Sequence, residues 1–365
     1  MKLFMDISFF FWIYLFGYDI FMIKISVIPG DGIGKEVMAA GVDVLDKLDL
    51  NLDYVYGDAG FELYEEIGDN LPDETVKQSM KCDATLFGAV TSVPGEKSAI
   101  IELRKALNVY GNLRPVKSYE GVRGLHDDVD FLIVRENTEG LYSQVEWDCS
   151  DGFVSNRIIS RGACERICRL AFDQCLRDGR ETVTLVHKAN VLRKSDGLFK
   201  DVFYSVSEEY SGISVNDFYV DACAMYLVTN PWMFDVVVTS NLFGDILSDE
   251  GAGIVGGLGV APSGNVGDDN GLFEPVHGSA PDIAGLNISN PVSMILSVGM
   301  LLDYLDEGYY AGKVRDAVGM VLKEGKVRTP DLGGVSKTLD LSNEVINKLE
   351  DILWFFWGVE FLCLI

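Results

Sequence analysis

Short β-branched apolar runs alternate along this chain with stretches of helical periodicity. Ile23 to Ile28 is the first such run, and it ends in Pro29-Gly30-Asp31-Gly32-Ile33-Gly34 before Lys35 to Leu48 takes up the helical period. That is strand, tight loop, helix. Tyr54 to Gly57 predicts another strand, Asp73 to Lys81 a helix, and Ala84 to Val90 a buried strand that ends at a loop. Phe131 to Val134, Thr182 to Val186, Phe218 to Asp221 and Phe234 to Val238 predict further strands. Between them Arg161 to Arg177 predicts a packed amphipathic helix with Ile167, Leu170, Ala171 and Cys175 on its apolar side. Strands and helices that keep alternating predict an α/β fold, with a largely parallel sheet covered by helices on both faces.

The glycines after the first strand invite a dinucleotide-binding reading. The G-x-G-x-x-G fingerprint, however, needs glycine where Lys35 stands, so a Rossmann site is not expected there. Charged residues at the ends of the elements say more. Arg104, Arg114 and Arg135 each arrive where an element begins or ends, and arginine forks converging on one pocket suit a di- or tricarboxylate. Asp245 and Asp249, four residues apart, would share one helix face and a divalent cation, with Asp221 as a third oxygen ligand. Lys188 leaves a strand end beside Asn190 and is a candidate general base. The loop His277-Gly278-Ser279-Ala280-Pro281-Asp282 has the small residues, backbone donors and acid needed to hold a nucleotide and its ribose.

Composition narrows the partners. At 365 residues the chain is long for one core, so two domains are expected, and its net charge of −26 repels nucleic acid and anionic membranes. Seven cysteines without a Cys-x-x-Cys pair argue against a disulfide framework or zinc ribbon and for a reducing, cytoplasmic setting. Cys164, Cys168 and Cys175 share a helical stripe and read as small buried hydrophobes. Residues 1–21 form an aromatic-rich run too short and too acidic for a membrane span, without a cleavage site. Because Met22 reads as the natural start of the first strand, 1–21 is expected to be a non-native or disordered extension. For the apolar tail 352–365 no role follows.

Seven ordered stretches, PGDGIGKEV, NLRP, VRENTEGLY, HKANVL, VTSNLFGDILSDE, APSGNVGD and EPVHGSAPDIAG, carry a specific resemblance. Together they resemble the β-decarboxylating dehydrogenases, the family of 3-isopropylmalate, isocitrate and homoisocitrate dehydrogenases, from about Met22 to the early 340s. The resemblance implies a two-domain fold with a mixed sheet, distinct from the Rossmann fold. Residues 22–109 with 256–351 would form the cofactor-binding domain, and 110–255 a second domain with the dimer interface and metal site. It implies a homodimer or dimer of dimers with shared active sites, Lys188 and Asp221 coming from the partner subunit.

Residue by residue, the resemblance assigns Arg104, Arg114 and Arg135 to the malate carboxylates. Lys188 would take the hydroxyl proton, and Tyr142 would return a proton at the end of the reaction. Asp221, Asp245 and Asp249 would hold Mg²⁺ or Mn²⁺; His277, Gly278, Ser279, Ala280, Asp282, Ile283 and Asn290 would contact the adenosine and ribose of NAD. Asp282-Ile283 favours NAD, because the acid accepts from both ribose hydroxyls and repels a 2′-phosphate. The substrate's third substituent would face Ser98, Ile100 and Ile101. The two isoleucines suit the isopropyl group of 3-isopropylmalate, oxidised and decarboxylated to 4-methyl-2-oxopentanoate in leucine synthesis. Ser98 and Lys97 leave homoisocitrate, and after it isocitrate, as alternatives. A non-catalytic regulatory paralogue would lack the base, the tyrosine or a metal ligand, and none of these is missing.

Overall fold

The computed structural model describes residues 22–363, with side chains through Trp354; the run 1–21 lies outside the described residues. β1 (Ile23–Gly30) turns into α1 (Gly34–Leu45), followed by β2 (Leu52–Tyr56), α2 (Phe61–Ile67), α3 (Asp73–Ser79), β3 (Ala84–Ala89) and α4 (Ala99–Ala106). β4 (Gly111–Lys117) and β5 (Asp130–Glu136) are followed by a two-stranded hairpin of β6 (Glu146–Cys149) and β7 (Gly152–Ser155). Helices and strands then alternate through α5 (Arg161–Arg177), β8 (Thr182–His187), α6 (Ser195–Ser207), β9 (Ser214–Tyr219), α7 (Val220–Thr229), β10 (Val236–Thr239) and α8 (Asn241–Val255). The hairpin of β11 (Pro262–Val266) and β12 (Gly271–Pro275) leads to α9 (Val292–Tyr304), α10 (Gly308–Glu324) and α11 (Thr338–Cys363). α11 runs on past position 352, where the apolar tail was expected to begin.

Ten strands form one sheet in the order β2-β1-β3-β12-β11-β4-β5-β10-β8-β9. Both flanks are parallel, as strand and helix alternation predicts. The centre departs from that expectation: β12 with β11, β11 with β4, and β4 with β5 are antiparallel. No helix separates β4 from β5 or β11 from β12, and an antiparallel neighbour needs no helical crossover. The sheet is therefore mixed, as the family resemblance implies. β4 carries the chain from one flank to the other and β11 carries it back.

The two faces of the sheet are packed differently. Along one side a single core joins α1, α5, α6 and α9 to α11, with Cys164, Cys168 and Cys175 buried in it as small hydrophobes. On the other side two separate clusters form, one of α7 and α8 against Val116, Phe131, Ile133 and Val237, the other of Phe87, Ala99, Leu103 and Val109. Between those clusters lie the central antiparallel strands. Period-two alternation and the strand register put Asn112 and Arg114 of β4, Arg135 of β5, Ser263 and Asn265 of β11, and Glu274 of β12 on this face. The fold thus leaves a polar strip between two apolar walls.

One sequence expectation about an element is corrected. Phe218 to Asp221 does not end a strand on its aspartate, because β9 stops at Tyr219 and Asp221 lies in the first turn of α7. An acid there is favoured by the positive end of the helix.

Candidate active site

The polar strip begins with arginines. Arg135 is 2% exposed and donates through Nε (3.2 Å) and Nη2 (2.8 Å) to Asn241 Oδ1, while Nη1 pairs with Asp245 Oδ1. Its stem lies against α8 because position 244 is glycine, where a Cβ would come within 2.5 Å of Arg135 Cγ. Arg114, also buried, donates Nε to Asn112 Oδ1 at 2.8 Å, and its Nη1 stands 3.7 Å from Asp249 Oδ1, too far for a hydrogen bond. Arg104, from the last turn of α4, pairs with Glu274. The three guanidinium groups feel one another: burial, then Arg135 and Arg104, push Arg114 down to about 10.

Two of these arginines keep unspent donors. Arg114 Nη1 and Arg104 Nε are buried without a hydrogen-bond partner, a state that costs about 1–3 kcal/mol each or more. Both residues line a cavity of about 180 Å³ together with Val90, Ile100, Glu274 and His277. Crowded cations with open donors around a small cavity are the equipment for binding carboxylates bidentately.

The next residues sit on α8 and on the turn at Leu141–Ser143. Asp245 and Asp249 lie one helical turn apart, as their spacing predicts. Tyr142 donates to Asp245 Oδ2, and its ring lies 5.1 Å from the Arg135 guanidinium carbon. Burial, then Asp245, raises the Tyr142 phenol above its ordinary value, so it stands as a proton donor. Burial also raises Asp249, against the pull of Arg114. Two carboxylates of this kind are hard oxygen donors suited to Mg²⁺ or Mn²⁺. Among the described residues no three acids, histidines or cysteines form a metal-holding group.

Lys188 and Asp221 form a separate pair. Lys188 follows β8, its Nζ bonds Asp221 Oδ1 and lies 5.8 Å from the Tyr219 ring centre, and that bond holds the Asp221 carboxyl below its ordinary range.

The loop from His277 to Asp282 is tied to the first turn of the chain. Ile33 N–H donates to Ser279 O at 2.9 Å, and Ser279 Oγ is 2.7 Å from Thr91 Oγ1. Gly32 has φ +56°, and a Cβ there would meet Ser279 O at 2.1 Å. The glycine thus serves loop-to-loop packing, which accounts for the incomplete fingerprint. His277 and Gly278 line the cavity; His277 Nε2 is buried and unpartnered, and burial holds its imidazole below the ordinary value. Asp282 is exposed and Ile283 half-buried. The donor set and the orphaned nitrogen fit a nucleotide lying along this loop.

Some predicted site residues fall elsewhere. Ile100 lines the cavity but Ser98 and Ile101 do not, since the turn of α4 sends consecutive side chains in different directions. Lys97 lies 3.6 Å from Glu102. Asn290 is buried, with its amide donating to Asp331 and its carbonyl accepting from Val292 N–H. The structure also adds residues. Asn112 and Asn137 both donate to Asn265 Oδ1 at 3.0 Å, Asn112 also reaches Ser263 Oγ at 2.8 Å, and Asn265 donates to Glu274 at 2.7 Å. Each lies in one of the stretches that carry the family resemblance, which was the available signal.

Comparison with known proteins gives the family. Residues 24–346 match the isocitrate/isopropylmalate dehydrogenase family. The chain is 52% identical to the 3-isopropylmalate/3-methylmalate dehydrogenase of Methanocaldococcus jannaschii, over 90% of this chain and 100% of that protein. It is 46% identical to the homoisocitrate dehydrogenase of the same organism, over 90% and 98%. The crystal structure of isocitrate dehydrogenase from Methylococcus capsulatus superposes with a TM-score of 0.87 at 41% identity, covering 90% of this chain and 99% of that one. These enzymes act on hydroxy carboxylates, and with a family match across nearly its whole length the chain belongs to the isocitrate/isopropylmalate dehydrogenases.

Proposed function

We propose that the chain oxidatively decarboxylates a 3-substituted malate with NAD and Mg²⁺ or Mn²⁺, and that 3-isopropylmalate is its preferred substrate. The observation that carries the reading is the small cavity where two open arginine donors meet Ile100 and Val90. Arg104, Arg114 and Arg135 hold the malate carboxylates, and the apolar wall takes the substituent. Lys97, 3.6 Å from Glu102, does not line that cavity.

Residues 22–109 with 256–351 form the cofactor domain and 110–255 the second domain, and the cleft between them follows the polar strip. Two copies share each site. Lys188 and Asp221 of one copy meet Asp245 and Asp249 of the other, which accounts for an acid pair and a lysine pair that stay apart in one chain. When bound, a divalent cation on the three aspartates supplies Lewis acidity at the substrate hydroxyl, and NAD on the His277–Asn290 loop supplies the hydride acceptor. Lys188 accepts the hydroxyl proton, and Tyr142 gives its phenolic proton to carbon after CO₂ leaves. A cytoplasmic enzyme of amino-acid synthesis is the setting.

Side-by-side kcat/KM values with 3-isopropylmalate, homoisocitrate and isocitrate, each with NAD and Mg²⁺ or Mn²⁺, test the reading. At least a tenfold preference for 3-isopropylmalate is expected, since burying one isopropyl group is worth about 1.5–3 kcal/mol. A higher value for either tricarboxylate overturns the substrate, and no NADH with any acid overturns the enzyme.

A further inference from the structure

The turn that carries Lys188 is gripped by buried side chains from two directions. His187, the last residue of β8, is 1% exposed, and its Nδ1 accepts the Ala189 N–H at 3.0 Å. Nδ1 therefore carries no proton, and the ring's one N–H, at Nε2, donates to Asp217 Oδ2 at 2.9 Å. Asp217 is anchored in turn, by Lys200 Nζ at 2.8 Å and by the Tyr204 hydroxyl. From the other side the Lys188 N–H donates to Asp196 Oδ2 at 2.7 Å, and Asp196, fully buried, is paired with Arg157. The Tyr219 ring meets His187 nearly edge-on at 5.4 Å and lies beneath Lys188 Nζ.

A turn after a strand ordinarily leaves such amides to water. Here the amides of two successive residues are spent on two buried side chains that belong to different hydrogen-bond networks. We propose that His187, anchored on Asp217, is a positioning residue for Lys188: by accepting the Ala189 N–H it fixes the backbone of the lysine's turn. The proposal rests on the reading of Lys188 as the base. Its chemical sense is geometric, because a misplacement of about 1 Å in a reacting group costs on the order of 10²-fold in rate.

The test uses two substitutions that each keep half of the imidazole's bonds. His187→Asn places an amide oxygen near Nδ1 and can still accept from Ala189 N–H; His187→Gln reaches toward Asp217 and loses the turn acceptor. In the intact protein, His187→Gln is expected to lower kcat about 10- to 100-fold with KM within about twofold, and His187→Asn to recover most of that loss. Amide hydrogen exchange at Lys188 and Ala189 should accelerate at least tenfold in His187→Gln, with α6 and β9 unchanged. A lowered melting temperature with kcat and local exchange both unchanged overturns the proposal, for then the network only stabilises the sheet. The exchange readout needs no turnover. An inactive wild type with that exchange signature sinks the reading of Lys188 and leaves the clamp standing.

Discussion

The phenol of Tyr142 donates to the carboxylate of Asp245, 103 positions away in sequence, while Arg135 takes the other oxygen of the same group. One aspartate thus links the proposed proton donor to the proposed carboxylate grip. Tyr142→Phe keeps the ring beneath Arg135 and removes only the donor. It is expected to lower kcat by about 10²-fold or more with little change in KM, the pattern of a lost general acid. Steady-state kinetics decide, and a rise in KM at constant kcat would instead make Tyr142 a binding residue.

Arg114 offers a sharper test of the carboxylate pocket. Its Nε is spent on Asn112, and its Nη1 is open. Lysine at this position keeps the charge and loses the fork. Arg114→Lys is expected to raise KM for the hydroxy acid by about 10- to 100-fold, as charged hydrogen bonds are worth about 1.5–3 kcal/mol. The KM for NAD should stay within about twofold. An equal effect on both would mean that the arginine holds the cleft and not the substrate.

Metal removal addresses the aspartates. Wild-type protein stripped with a chelator should lose activity and regain it with Mg²⁺ or Mn²⁺, and added Mg²⁺ should raise its melting temperature by mass action. In Asp249→Asn the Mg²⁺ concentration for half-maximal activity should rise by about tenfold or more. A melting temperature that ignores Mg²⁺ in both proteins argues against a cation on this helix.

Much of this was readable before any coordinates. Arg161 to Arg177 is helix over those bounds, and Asp245 and Asp249 share a helical turn, because local periodicity fixes both. The antiparallel centre was not readable from local periodicity, and only the family resemblance implied a mixed sheet. β4 and β11 meet across 151 positions in the contact of Asn112 with Ser263, and no local pattern encodes such a pairing. Nor were Asn112, Asn265 and Glu274 visible as one network, since they come from three strands far apart in sequence. Which isoleucine lines the cavity was not readable either: both suit an apolar wall, and the rotation of α4 puts Ile100 there.

The charge network behind Lys188 has its own pH signature. Burial would raise the Asp217 carboxyl, but hydrogen bonds from His187, Lys200 and Tyr204 outweigh it and hold the group down to about 2. Its unfolded value is about 3.9. A folded-state value below the unfolded one contributes stability that is complete above about pH 4 and disappears as pH falls toward about 2. Asp217→Asn removes a charged acceptor of three donors and should cost about 1–3 kcal/mol at neutral pH. In urea titrations the gap between wild type and variant should stay constant from pH 8 to 5 and narrow below pH 4. Narrowing between pH 8 and 5 would assign the linkage to a group other than Asp217.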